Sequence, residues 1–309
     1  MMKKVFIDGS AGTTGLRIYE RLAQRKDIQL VTLPEAVRKD AGARKEALNN
    51  ADIAFLCLPD DAAREAVSMI ENPNVTVIDA STAHRTLPDW AYGFPELGKS
   101  FADKVKNSKR IAVPGCHASG FIALVYPLIE AGLLDKNAEI TCHSITGYSG
   151  GGKKMIAEYE REGRNVLLEA PRQYALAQQH KHLKEMKGIC GLEVSPIFCP
   201  IVSNFYSGMT VTVPLFASMI KGGVESVKAV YREKYQDAIV SYAETAAEDG
   251  FLSGLALGGK DSMRISVAGN DERILLLASY DNLGKGASGA AVECMNIALG
   301  VDKTTGLVL

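Results

Sequence analysis

Apolar residues fall in short blocks along the first third of the chain, and mixed stretches with helical spacing separate the blocks. Residues 5–8 (Val5-Phe6-Ile7-Asp8), 28–33, 53–58, 75–79 and 110–113 read as strands. Residues 16–24 carry an amphipathic helical pattern, and Pro59 opens another helix over 60–70. Short apolar strands alternating with helices predict a parallel sheet covered on both faces. The pattern then changes. Residues 121–131 form a helix, and 138–147 form a strand that runs into the glycines after Tyr148. Residues 194–202 and 208–215 are also extended, and in Met209-Thr210-Val211-Thr212-Val213 apolar and polar positions alternate, the mark of a half-exposed strand. Residues 263–267 and 274–280 flank Gly269-Asn270-Asp271 and predict a hairpin with a loop longer than two residues. Strands without helices between them predict a mainly antiparallel sheet in a second domain of α+β type. The expected division is 1–115, with a closing helix over 287–300 packing back on it, and 116–286. The junction near Gly115 is tight, because no low-complexity linker separates the two parts.

The chain has 309 residues, 47% hydrophobic and 23% charged, enough to bury a sizeable core. A net charge of −1 gives no general attraction to nucleic acid or to an acidic membrane. The N-terminal apolar run is too short for a signal-peptide core, and no run approaches the roughly 20 residues that span a bilayer. A cytoplasmic location and a small-molecule partner are the expectation. Six cysteines are present, and neither a Cys-x-x-Cys pair nor a Cys/His set with zinc spacing occurs, so no metal site is expected. Cys57, Cys142 and Cys199 lie in apolar runs and Cys294 in a helical one, which suits buried, inert thiols.

Cys116 differs from these. It sits in Val113-Pro114-Gly115-Cys116-His117-Ala118-Ser119-Gly120, where a strand ends and a helix follows. A thiol at a helix N-terminus meets unpaired amides and the positive end of the dipole, which favours the reactive thiolate. Such a nucleophile needs an acid/base, and His180-Lys181-His182 with Glu185 is the densest histidine cluster. If the segment is extended, His180 and His182 share a face; a basic surface segment is the competing reading. His117 is read as structural.

Gly9-Ser10-Ala11-Gly12-Thr13-Thr14-Gly15 follows the first strand and opens the first helix. Glycines there let the backbone approach a pyrophosphate, and the helix start supplies amides. The spacing is G-x-x-G-x-x-G, so the strand–turn–helix context rather than the motif carries the dinucleotide reading. After the second strand, Glu35 argues for NAD through the ribose hydroxyl, while Arg38 and Lys39 argue for the 2′-phosphate of NADP. The cations tip the balance to NADP, against a plain solvated loop. Ser81 and Arg85, in Asp79-Ala80-Ser81-Thr82-Ala83-His84-Arg85, are candidates to hold a phosphate. Lys153, after Ser149-Gly150-Gly151-Gly152, suits a substrate carboxylate. Asn282 and Gly284, in Asn282-Leu283-Gly284-Lys285-Gly286, form a loop that could touch the nicotinamide end of a cofactor or simply cap the closing helix.

Together these segments, with Tyr92-Gly93-Phe94-Pro95-Glu96-Leu97 and Ser203-Asn204-Phe205-Tyr206-Ser207-Gly208-Met209, resemble the N-acetyl-γ-glutamyl-phosphate reductase family of arginine biosynthesis, in its shorter form. The resemblance runs nearly end to end. It implies a Rossmann-type dinucleotide-binding domain, a catalytic and dimerisation domain, and NADPH-dependent reduction of an acyl phosphate through a Cys116 thioester. It implies that His180 and His182 act in proton transfer, with Glu185 orienting them and Ser119 near the substrate, in a homo-oligomer, dimer or tetramer. At Ser149 to Lys153 the chain departs from the longer family form, which puts the carboxylate role of Lys153 in doubt. Aspartyl-phosphate reduction, a non-catalytic dinucleotide sensor and a Cys-His hydrolase are the alternatives.

Overall fold

The computed structural model describes residues 2–245 and 248–309. In chain order the elements are β1 (Lys3–Asp8), α1 (Thr13–Leu22), β2 (Ile28–Val31), α2 (Ala41–Asn50), β3 (Ile53–Leu56), α3 (Asp60–Ser68), β4 (Thr76–Asp79), β5 (Ala91–Tyr92), α4 (Lys99–Asn107) and β6 (Arg110–Ala112). They continue with α5 (Cys116–Glu130), β7 (Thr141–Gly147), α6 (Gly152–Glu160), β8 (Arg172–Gln173), α7 (His182–Cys190), β9 (Ile197–Ser203), β10 (Met209–Phe216), α8 (Gly223–Lys234), β11 (Val240–Tyr242), β12 (Met263–Gly269), β13 (Arg273–Tyr280) and α9 (Gly289–Leu299). The chain divides into two compact units, Met1–Pro114 with Ala287–Leu307, and Gly115–Gly286 with Val308–Leu309.

The first unit holds a parallel sheet in the order β2-β1-β3-β4-β6-β5. Its strands send alternate side chains to opposite faces, and both faces are covered. Val5, Ile7, Ile53 and Phe55 pack with Ile18 and Leu22 of α1 and Ala291 and Met295 of α9. Phe6, Ala54 and Leu56 pack on the other side with Leu48 of α2 and Ala63 and Ala66 of α3. Burial on both sides is why these strands read as continuous apolar runs. Asp40 caps α2 by accepting the Ala43 amide at 2.8 Å, and Asp60 and Asp61 place negative charge at the start of α3.

The second unit holds a mixed, mainly antiparallel sheet in the order β11-β12-β13-β10-β7-β9-β8. β7–β9 and β11–β12 run parallel, and the other neighbours are antiparallel. One face is dry: Met209, Val211, Val213 and Leu215 are buried, and α5 lies against β10 and β13. The opposite face carries Ile145, Ile197, Phe216 and Leu275, all exposed.

Observed boundaries shift where local chemistry hides the pattern. α1 begins at Thr13 and α5 at Cys116, before the first apolar residues of each, because Thr, Gly, Ser and Ala give no hydrophobic period. β7 starts at Thr141 because Ala138 is still in a turn, its amide bonded to the Asp135 carbonyl at 3.1 Å. Among the described residues no helix is long and apolar enough to cross a membrane.

Candidate active site

Cys116 is the first residue of α5, and Gly115, the extended residue before it, supplies no capping side chain of its own. The N–H groups of a first helical turn have no carbonyl partner inside the helix. Several groups in the same unit hold this turn. Glu185 accepts the Gly115 amide at 2.8 Å while only 2% exposed. Its carboxylate thus holds the backbone in front of the nucleophile. The Tyr280 hydroxyl donates to the Cys116 carbonyl at 2.5 Å and accepts the Gly120 amide at 3.1 Å. Gly286 closes on the cysteine from another side: a Cβ there would lie 3.1 Å from the Cys116 Cβ. Gly286 belongs to a π-helical turn over Gly284–Ser288, an irregularity that recurs at functional sites.

Asp281 anchors that turn. Its carboxylate accepts the Leu283 amide at 2.7 Å, the Gly284 amide at 3.0 Å, the Ser207 hydroxyl at 2.7 Å and the Gly259 amide at 2.5 Å. Asn282, expected near a cofactor, accepts the Gly208 amide at 2.9 Å and donates to the Ser149 hydroxyl at 3.0 Å. It is 1% exposed and ties two glycine-containing loops together. Gly284 is a packing requirement, since a Cβ would lie 1.9 Å from the Lys260 carbonyl oxygen.

Three histidines meet in this unit. His180 lies in the turn before α7 and His182 is its first residue, so they do not share a strand face. The turn nevertheless brings their rings to 4.6 Å between centroids, nearly perpendicular. The His182 amide donates to Nδ1 of His180 at 3.2 Å, which leaves the proton of neutral His180 on Nε2. His117 joins them, 5.8 Å from His180 and 5.7 Å from His182 by ring centroids. Its Nδ1 is 2.6 Å from the Ser144 hydroxyl and its Nε2 2.6 Å from the Tyr174 hydroxyl. Burial, aided by the charge of His180, pushes the His117 pKa down to about 3, so its ring stays neutral. Burial and the negative charge of a Cys116 thiolate raise the Tyr174 phenol, and Tyr280 is raised well above its ordinary value for the same two reasons. Burial also raises the Cys142 and Cys190 thiols, as expected of inert core cysteines.

Ser119 is 1% exposed and its hydroxyl donates back to the Gly115 carbonyl at 3.0 Å. In the first unit the Ser81 hydroxyl donates to Asp79 at 2.7 Å. Arg85 spends Nε on the Val113 carbonyl at 2.8 Å and Nη2 on that of Ala80 at 3.0 Å. Both brace the loop after β4 and the end of β6, because each polar group is buried and must be paired. Lys153 is exposed in the first turn of α6. Arg38 pairs with Glu35 at 2.9 Å, so the two residues that argued for opposite cofactors neutralise each other, and Lys39 stays exposed.

The glycine loop fits a dinucleotide. Gly9 has φ +86, and a Cβ there would lie 2.4 Å from the Cys57 carbonyl oxygen. A Cβ on Gly15 would lie 2.4 Å from the Gly9 carbonyl oxygen, so α1 starts tight against the turn. Gly12 leaves the α1 amides without a side-chain cap, open to an anion. Among the described residues no group of three or more His, Cys, Asp or Glu side chains is arranged to hold a metal ion.

Sequence reasoning missed Tyr280, Tyr174 and Gly286. The signal for Tyr280 was Gly120, an isolated glycine inside an apolar helix, which usually marks a close approach.

Residues 35–105 match the semialdehyde dehydrogenase NAD-binding domain, and 116–282 match the semialdehyde dehydrogenase dimerisation domain. The chain is 45% identical over 303 residues to N-acetyl-γ-glutamyl-phosphate reductase 2 of Pseudomonas putida, covering 96% of each chain. It is 46% identical to the N-acetyl-γ-glutamyl-phosphate reductase of Burkholderia lata, again covering 96% of each. Among solved structures, aspartate semialdehyde dehydrogenase II of Vibrio cholerae superposes with a TM-score of 0.73 at 17% identity, over 97% of this chain and 99% of that one. The NADP complex of the Candida albicans aspartate semialdehyde dehydrogenase gives 0.67 at 17% identity, over 96% and 98%. These last two speak to fold alone. Sequence identity of this extent, over nearly the whole of both chains, means that this protein belongs to the N-acetyl-γ-glutamyl-phosphate reductase family.

Proposed function

We propose that this enzyme reduces N-acetyl-γ-glutamyl phosphate to N-acetylglutamate 5-semialdehyde with NADPH, through a thioester on Cys116, as a step of arginine biosynthesis. The observation that carries the reading is Cys116 at the start of α5, in the unit that also gathers His180 and His182. The thiolate attacks the acyl carbon, the C–O bond to phosphate breaks, and the acyl group is left on sulfur. Splitting the reduction this way replaces one difficult step with two easier ones. N–H groups of the first α5 turn would stabilise the oxyanion formed on each attack. The overall reduction takes up one proton, which leaves with the phosphate. His180 and His182 are the pair we assign to proton transfer, one ring giving up a proton as an imidazolium and returning to neutral.

Gly9 to Gly15 would hold the pyrophosphate of the cofactor, and Arg38 and Lys39 are the candidates for its 2′-phosphate. NADPH, when bound, supplies the hydride that reduces the thioester carbon. His117, held neutral by burial, adds no positive charge beside His180 and His182.

The exposed apolar face of the mixed sheet, with Ile145, Ile197, Phe216 and Leu275, supports a homodimer formed by two such faces. The six free thiols suit the reducing cytoplasm.

A substrate pair tests the assignment. In the reverse direction, kcat/KM for N-acetylglutamate semialdehyde should exceed that for aspartate semialdehyde by roughly a hundredfold or more, because a site that hydrogen-bonds an acetamido group discriminates against a substrate without one. The opposite preference would make the chain a reductase of aspartyl phosphate.

A further inference from the structure

In a regular α-helix the Gly120 amide pairs with the Cys116 carbonyl four residues before it. Here the Tyr280 hydroxyl joins that pair, accepting from Gly120 N at 3.1 Å and donating to Cys116 O at 2.5 Å. α5 runs on as regular helix from Cys116, so the hydroxyl gives the Cys116 carbonyl an additional donor fixed from outside the helix. The absent side chain of Gly120 makes room for it, since a Cβ there would lie 2.7 Å from the Tyr280 hydroxyl. Tyr280 is fully buried at the end of β13, so its hydroxyl is fixed by the sheet.

The Cys116 carbonyl and the His117 N–H belong to one planar trans peptide and point in opposite directions. Holding the carbonyl therefore aims the N–H. That N–H is one of the first-turn donors with no partner inside the helix, and it is bonded to the residue that carries the thiol. We propose that Tyr280 is a positioning residue that aims the His117 amide at the oxyanion formed when Cys116 is acylated. The proposal rests on Cys116 being the nucleophile and adds a residue that never touches the substrate.

Tyr280→Phe removes the hydroxyl and keeps the ring. The test compares three readouts in the purified full-length enzyme. With N-acetylglutamate semialdehyde, phosphate and NADP, the single-turnover rate of NADP reduction should fall about ten- to a hundredfold, while both KM values change less than about threefold. Alkylation of Cys116 by iodoacetamide should keep its rate and its pH midpoint. That reaction is a displacement at a methylene carbon and forms no oxyanion, so it reads the thiolate without the amide. Gly120→Ala, whose methyl would crowd the Tyr280 hydroxyl, should give the same split.

An unchanged single-turnover rate in Tyr280→Phe overturns the proposal. So does an alkylation rate that falls in step with turnover, the mark of a disturbed thiol. Cys116→Ser is run alongside. If it retains turnover, the nucleophile assignment fails and the proposal falls with it. If it is inactive while Tyr280→Phe is unaffected, only the proposal fails.

Discussion

Acidification should weaken the second unit through His117. The ring is 2% exposed, and burial moves its pKa from 6.5 to about 3. As pH falls below 6.5, the unfolded chain takes up a proton at this position and the native one does not. The contribution is thus present above the unfolded pKa and lost progressively as pH falls toward the folded value. Between about pH 7 and about pH 5 the loss from this one group is about 2 kcal/mol. Native His117 is still neutral at the lower pH, so the unfolded value sets the size. The assay is equilibrium urea unfolding followed by far-UV circular dichroism, at fixed protein concentration, on wild type and His117→Gln. Glutamine can still meet the Ser144 and Tyr174 hydroxyls but does not titrate. The wild type should lose about 2 kcal/mol more than the variant over this interval. An equal loss in both proteins would refute the reasoning.

Glu185→Ala leaves the buried Gly115 amide without its carboxylate. It should cost about 1–3 kcal/mol in urea unfolding, with kcat falling along with stability, whereas Glu185→Gln should keep most of both. Replacing His180 and His182 together should lower turnover by about a hundredfold or more, with NADP affinity by fluorescence titration nearly unchanged. An unchanged rate would return the segment to a surface role.

The fold was legible where burial imposes a period. Val5 to Ile7 and Ile53 to Leu56 are apolar because helices cover both faces of their sheet. Cys116 was legible because Pro114 and Gly115 punctuate a strand-to-helix change. Contacts fixed by tertiary approach were not legible. Nothing in Glu185 announces that its carboxylate reaches back to Gly115, and nothing in Tyr280 announces a bond to Cys116, since these partners lie far apart in sequence. His117 was read as structural, and its place between Ser144 and Tyr174 agrees with that. Ser81, Arg85 and Ser119 make bonds to neighbouring groups that their place in the sequence does not announce. Polar residues beside a site suggest ligands, but buried ones must first satisfy the backbone around them.

The central claim is a covalent thioester on Cys116. The direct measurement is the phosphate-dependent reduction of NADP with N-acetylglutamate semialdehyde, in wild type and Cys116→Ser. The wild type should turn over only when phosphate is present to release the acyl group, and the variant should be slower by roughly a thousandfold or more. Turnover that survives in the folded Cys116→Ser protein would contradict the account.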